Sequence, residues 1–100
     1  MAHIDIQALD WDDVNEQHIR ERHGITRADV DAVCFGDPAT LLVEETHTER
    51  YRVIGPRQDG KVLVVILAPQ GGGSFYPVTA KQTKRQELRR YNDWQAGKQP

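Results

Sequence analysis

The spacing of apolar and polar residues predicts two helices in the first third of the chain. The segment from Asp13 to His23 has an acidic first turn and is followed directly by Gly24, which suits the start and the end of a helix. Thr26 followed by Asp29 resembles a capping box with aspartate in place of glutamate, so a second helix should begin at Thr26. We expect this helix to end at Gly36-Asp37-Pro38.

The middle of the chain changes to a pattern that is typical of β-strands. Four strands are predicted, over residues 39–45, 50–54, 61–68 and 74–79. The third is apolar on both faces, as in a central strand, and Pro77 in the fourth marks a sheet edge or a local break. Short connections make neighbouring strands antiparallel, so the four form a meander. Ile4, Ile6 and Ala8 allow a short extra strand at the N-terminus.

The last element is a helix, and it completes an α+β layout. Thr79-x-x-Gln82 resembles a second capping box and predicts its start, with Leu88, Tyr91 and Trp94 as its apolar stripe. We expect one domain over residues 1–100, with a core at about 11–94 and a flexible tail at 95–100. The first two helices should cover one face of the sheet, and the last helix should flank the other, partly open face.

Charge divides the chain into two halves. Residues 1–50 carry 4 Lys+Arg and 12 Asp+Glu, a net of −8, whereas residues 51–100 carry 9 and 3, a net of +6, which gives −2 for the whole chain. Such asymmetry indicates a half that binds polyanions such as RNA. The alternative is that the two halves pair with each other inside the molecule.

Several function classes are excluded by what the sequence lacks. A single cysteine, Cys34, rules out an intrachain disulfide and a cysteine-based zinc site. No signal peptide and no apolar run near ~20 residues is present, so we expect a cytoplasmic protein without membrane contact. Phosphate-binding glycine loops and metal-ligand spacings are missing, which argues against NTPases and zinc enzymes. Ser74 has no evident base, which argues against a serine hydrolase. A metal-independent nuclease without a cofactor and a plain nucleic-acid-binding module both stay open.

Candidate phosphate-binding residues lie on the predicted second strand and at the start of the last helix. Arg50 and Arg52 share one strand face and suit a bidentate phosphate contact, unless they pair with acidic residues of the neighbouring strand, Glu44 or Glu45. Lys81, Lys84 and Arg85 would meet free helix N–H groups that also favour anions. The alternative for these three is a solvated helix face.

The loop before the second strand offers groups for proton transfer. His47 and Glu49 suit an acid–base pair that activates a ribose 2′-OH, because histidine titrates near neutral pH. The alternative for His47 is an ordinary surface histidine.

Several segments occur in the order found in a known family. They are Trp11-Asp12, Arg22-His23-Gly24-Ile25, Phe35-Gly36-Asp37-Pro38, residues 49–55, residues 63–66, Thr79-Ala80-Lys81 and residues 87–91. In this order the chain resembles the BrnT family, the toxin half of type II toxin–antitoxin systems. The resemblance runs from about Trp11 to Tyr91.

The resemblance implies a RelE-like fold and a ribonuclease toxin that cleaves RNA without a metal ion. Our hypothesis is an endoribonuclease in which the RNA's own 2′-OH attacks the adjacent phosphate. It also implies a cognate antitoxin that neutralises the toxin and binds operator DNA. The expected partners are therefore RNA, free or on the ribosome, and the antitoxin, in a homodimer or a toxin–antitoxin hetero-oligomer. The alternative is a non-catalytic nucleic-acid-binding or antitoxin-binding module.

Two sets of site residues follow from the residue chemistry and the resemblance together. The catalytic set is Arg50, Lys81, Glu49, His47 and Arg85, and the nucleic-acid-binding set is Arg22, Arg52, Lys84, Arg89 and Tyr91. Lys81 stands where the family has arginine, so a bidentate phosphate contact becomes a point charge. Gln86 and Leu88 stand where the family is more basic.

Overall fold

A computed structural model describes residues 3–98 and shows three helices against a mixed five-stranded sheet. The elements are β1 (Ala8–Leu9), α1 (Asp13–His23), α2 (Arg27–Cys34), a 3-10 helix (Pro38–Thr40), β2 (Leu42–Glu45), β3 (Tyr51–Pro56), β4 (Val62–Gly71), β5 (Ser74–Gln82) and α3 (Arg85–Ala96). The strand order is β1-β5-β4-β3-β2. Strands β2 to β5 form the predicted antiparallel meander, and β1 adds a parallel partner to β5. The predicted α+β class is confirmed.

The first two helices begin where local capping signals place them. The Asp12 carboxylate accepts a hydrogen bond from the Asn15 N–H at 2.8 Å, and the Asn15 side chain accepts one from the Asp12 N–H at 2.9 Å. At the end of α1, Gly24 adopts a left-handed φ of 65°, which glycine adopts without steric cost. Thr26 and Asp29 form the expected reciprocal cap of α2, at 3.0 and 3.2 Å.

Strand β4 is buried on both faces, as its uninterrupted apolar run predicts. Leu63, Val65 and Leu67 point into the larger core, which also contains residues of α1 and α2. Val64 points to the other side, into a smaller core shared with β2, β3 and Tyr91 of α3. Helix α3 therefore covers part of the second face of the sheet.

Several predicted boundaries are wrong, and at two places longer-range structure overrides a local signal. The first predicted strand begins at Leu42 rather than at residue 39, since Pro38 opens the 3-10 helix. Strand β5 continues to Gln82 because it stays paired with β4, so Thr79 does not cap a helix. Helix α3 instead starts after Lys84, whose backbone N–H donates to the Glu87 carboxylate at 2.8 Å.

Pro77 produces the local break that the sequence predicts. Leu67 pairs with Pro77 and Ile66 pairs with Thr79, so Val78 has no partner opposite it and forms a β-bulge. The N-terminal strand is shorter than predicted and comprises only Ala8–Leu9, while the two isoleucines before it pack against the core.

The last helix extends past residue 95, where the predicted tail begins. Helix α3 continues to Ala96, and the Lys98 amino group donates to the Ala39 carbonyl at 2.8 Å while lying 3.8 Å from the Trp94 ring centroid. Residues 99 and 100 of the predicted tail lie outside the described residues. Over residues 3–98, no helix has the length and apolarity to cross a membrane.

Candidate functional site

Helix α3 leaves part of its side of the sheet accessible, and charged residues lie there. Glu44, Arg52, Ile66 and Thr79 stand opposite one another across β2, β3, β4 and β5, and all four are half-buried. Lys81 lies two residues further along β5 on the same face. We call these five residues the open face.

Glu44 joins two arginines from different elements at the edge of the open face. The Arg90 guanidinium donates from Nε to Oε2 and from Nη2 to Oε1, both at 3.0 Å. Arg52 approaches the same Oε1 through Nη1 at a longer 3.5 Å. The pairing of Arg52 with Glu44, left open as an alternative by the sequence, is therefore present, and Arg90 is added to it.

The Thr79 hydroxyl has an unusual environment. Among residues 3–98, its Oγ1 is the buried side-chain oxygen or nitrogen for which the structure shows no hydrogen-bond partner. A buried hydroxyl without a partner lowers stability, and such groups in native proteins often have a role. Thr79 also follows the bulge at Val78, and bulges frequently occur beside functional sites.

Basic residues of α1 and β5 lie near each other at the C-terminal end of α1. The pKa of His23 is lowered by burial and then by the nearby charges of His18, Arg22 and Lys81. The His18 and His23 rings meet edge to face, with centroids 6.1 Å apart. Arg22 and Lys81, which the sequence places 59 positions apart, thus act on the same imidazole.

The predicted proton-transfer residues lie together in the loop between β2 and β3. His47, Glu49 and Arg50 help to line a hollow of about 290 Å³. The loop is held by Thr46, whose hydroxyl accepts the Arg50 N–H at 3.2 Å and whose N–H donates to the Arg50 carbonyl at 2.9 Å. Glu49 has a left-handed φ of 59°, which is uncommon for a residue other than glycine.

The structure separates this loop from Lys81. Arg50 lies one residue before β3 rather than within it. By the pairing of β3, β4 and β5, Arg50 and Lys81 are two strands and four residues apart, which is roughly 16 Å between Cα atoms at ordinary strand spacings. The two residues cannot therefore be assigned to one phosphate oxygen from their backbone positions.

Helix α3 presents its basic residues in several directions. Arg85 and Arg90 are five residues apart, roughly 140° around the helix, so Arg85 faces away from Glu44. Lys84, Arg85 and Arg89 are exposed. Within residues 3–98 no ion pair forms at six of the predicted basic site residues, namely Arg22, Arg50, Lys81, Lys84, Arg85 and Arg89.

Tyr91, predicted as a nucleic-acid contact, belongs to the core instead. Its side chain is 6% exposed, and its hydroxyl donates to the Thr40 carbonyl at 2.6 Å. Burial raises the pKa of Tyr91 above its usual value. Its ring is therefore not available for stacking on a base.

Cys34 is buried too, and burial raises the pKa of its thiol to about 12, so the thiol stays protonated at neutral pH.

Comparison with known proteins decides the family. A family model described as "Ribonuclease toxin, BrnT, of type II toxin-antitoxin system" matches residues 11–87. The chain belongs to the BrnT family. The predicted family and the predicted class of enzyme, a ribonuclease toxin of a type II toxin–antitoxin system, are therefore confirmed. RNA as substrate and an antitoxin as partner follow from the same membership.

A BrnT protein of known structure has the same fold. The crystal structure of the Brucella abortus ribonuclease toxin, BrnT, is similar to this chain with a TM-score of 0.63 and 20% sequence identity. The similarity covers 78% of this chain and 97% of the Brucella chain. No curated protein matches the sequence.

Two residues near the candidate site are outside the set of site residues predicted from the sequence. Arg90 stands 46 positions from Glu44, and only the packing of α3 brings them together. His23 carried a weak signal, its position in the motif before Gly24, but its proximity to Lys81 depends on the packing of α1 against β5.

Proposed function

We propose that this BrnT-family protein cleaves RNA without a metal ion, by attack of the RNA's own 2′-OH on the adjacent phosphate. The observation that carries the proposal is that Arg50, which forms no ion pair among residues 3–98, lines one hollow together with His47 and Glu49. Negative charge develops on the phosphate oxygens during such an attack, and fixed cations in a partly desolvated site stabilise it. Arginine suits this task because its planar fork matches phosphate geometry.

The reaction consists of one displacement at phosphorus. The 2′-oxygen forms a bond to phosphorus, the bond from phosphorus to the 5′-oxygen breaks, and the products are a 2′,3′-cyclic phosphate and a 5′-OH. A base takes the 2′-OH proton, and the leaving 5′-oxygen receives a proton. Glu49 or His47 serves as the base, because both share the hollow with Arg50.

The spacing of the residues supports different roles for them along the RNA. Arg50 stabilises the phosphate that reacts, since it lies beside the general base, Glu49 or His47. Lys81, which lies roughly 16 Å away by strand spacing, together with Arg22 and Arg85, binds flanking phosphates and not the reacting one. An extended RNA strand that crosses the open face contacts both groups.

The test is an RNA cleavage assay with purified protein in the presence of excess EDTA. We expect cleavage to persist, the fragments to end in a 2′,3′-cyclic phosphate, and a substrate with 2′-deoxyribose at the cleaved position to stay intact. Arg50→Ala should reduce the rate by at least tenfold, whereas Arg57→Ala, an arginine on the turn between β3 and β4 that pairs with Asp59, should not. Cleavage that EDTA abolishes, or intact free and ribosome-bound RNA, would overturn the proposal.

We also propose that the cognate antitoxin neutralises the toxin by covering the open face. The surplus of positive charge there complements an acidic protein segment as well as RNA. Addition of the antitoxin should then displace bound RNA, and substitution of Arg52 should weaken the binding of both RNA and antitoxin. A ternary complex of toxin, antitoxin and RNA would contradict this arrangement.

A further inference from the structure

Two charge clusters in the structure have net charges of opposite sign. In the first, Arg57 pairs with Asp59 through two hydrogen bonds of 3.0 and 3.1 Å and with Asp29 at 3.5 Å, so one cation meets two carboxylates. In the second, Glu44 meets both Arg52 and Arg90, so two cations share one carboxylate. The second cluster keeps one positive charge without a partner among residues 3–98.

The two arginines of the second cluster are not held equally. Arg90 uses two nitrogens on both oxygens of Glu44, whereas Arg52 makes one long contact of 3.5 Å. A guanidinium has five N–H donors, so most of those of Arg52 are unused. The Arg52 and Arg90 side chains are 38% and 42% exposed, and Glu44 is 27% exposed. Donors in this position are accessible to a ligand from solvent.

We propose that Arg52 and Arg90 together form a phosphate-binding subsite for the RNA backbone, which adds Arg90 to the residues that contact RNA. Glu44 keeps the two like charges close together in the free protein, and a backbone phosphate supplies the negative charge that the cluster lacks. This inference rests on the proposed function, since it assigns one phosphate of the same substrate.

The location of the cluster fits this role. Arg52 lies two residues from Arg50 along the chain and stands opposite Ile66 on the sheet, with Thr79 beyond it. The subsite is therefore at the β2 edge of the open face, near Arg50, whereas Lys81 lies on β5, on the other side of β4. Arg90 also lies beyond residues 11–87, the segment that the family model matches, so the matched segment alone does not contain the complete subsite.

The test measures how binding depends on salt. The probe is a 2′-O-methyl RNA oligonucleotide, which cannot be cleaved because its 2′-oxygen is blocked, and its affinity is measured by fluorescence anisotropy over a range of NaCl concentrations. Each phosphate contact on a single strand contributes about −0.7 to the slope of log affinity against log salt. Arg90→Ala and Arg52→Ala should each make the slope shallower by about 0.7. Arg57→Ala, which also removes ion pairs, should leave it unchanged.

Glu44→Gln separates binding from a merely structural role. It breaks the Arg90–Glu44 ion pair, as Arg90→Ala does, and the Arg52–Glu44 pair as well, but it retains both cations, so the slope should be as steep as that of the unsubstituted protein or steeper. If the cluster only fastens α3 to the sheet, Glu44→Gln and Arg90→Ala should weaken binding alike, and that result would overturn the proposal. An unchanged slope in Arg90→Ala would also overturn it. Arg90→Gln, which keeps the length of the side chain, replaces Arg90→Ala if the alanine variant does not fold.

The outcome is independent of cleavage. If the unsubstituted protein cleaves RNA and Arg90→Ala binds the probe with an unchanged slope, the subsite is wrong while the proposed function stands. If no RNA is cleaved but Arg90→Ala makes the slope shallower, the subsite stands as a binding site and the proposed reaction is wrong.

Discussion

At the scale of one residue, the buried hydroxyl of Thr79 distinguishes the candidate site from the apolar core. Its neighbours on the sheet, Ile66 and Ala80, are apolar, and its hydroxyl is shielded from water without a hydrogen-bond partner among residues 3–98. A buried donor or acceptor without a partner costs about 1–3 kcal/mol. The structure thus has an unfavourable buried group on the same face of the sheet as Arg52 and Lys81, where RNA is proposed to bind.

Replacement of this hydroxyl by a methyl group should not reduce stability. We expect Thr79→Val to raise the free energy of unfolding by up to about 1 kcal/mol, because the shape is kept and the unsatisfied group is removed. Thr83→Val is the matched control: the Thr83 hydroxyl donates to the Val62 carbonyl at 3.2 Å, and its loss should cost about 1 kcal/mol. Urea denaturation measures both. A destabilised Thr79→Val would mean that an ordered water or another group satisfies Thr79.

At the scale of elements, the predictions that hold depend on neighbours in sequence. The caps of α1 and α2 involve residues three positions apart, so the sequence contains the whole signal. The end of β5 depends on pairing with β4, and the capping pattern at Thr79 is therefore misleading. The same distinction applies to the site: the pairing of Arg52 with Glu44 across adjacent strands was open to prediction, but the arrival of Arg90 from α3 was not.

The contact between α1 and β5 should make stability depend on pH. The folded protein lowers the pKa of His23 below 6.5, through burial and the charges of His18, Arg22 and Lys81. As pH falls below about 6.5, the unfolded chain therefore binds a proton more readily than the folded one, and stability decreases. Above that pH the imidazole is neutral in both states, so the contribution is constant.

Substitution of His23 should remove this dependence. We expect the urea midpoint of the unsubstituted protein to fall between about pH 7.5 and pH 5 more than that of His23→Gln does. Lys81→Met, which removes one of the charges that lower the pKa of His23, should give an intermediate fall. Equal falls in the unsubstituted protein and in His23→Gln would show that other groups cause the acid sensitivity.

At the scale of the whole molecule, the charge asymmetry is partly cancelled by internal ion pairs and partly left as cations without an ion-pair partner among residues 3–98. The acidic N-terminal half neutralises some basic residues of the C-terminal half, as Asp29 does for Arg57 and Glu44 does for Arg90. Arg50, Lys81, Arg85 and Arg89 have no such partner within the part of the chain that the structure describes. Composition predicted the surplus of cations, but only the fold shows which of them stay free.

The central claim is that RNA binds across the open face and the adjoining β2–β3 loop. The most direct measurement is an NMR titration of ¹⁵N-labelled protein with the 2′-O-methyl RNA oligonucleotide. The account predicts the largest shift changes at Arg52, Thr79, Lys81 and Arg90 and in the loop at 46–50. Changes confined to α2, or to the apolar cleft between the N-terminal segment and Trp94, would contradict it.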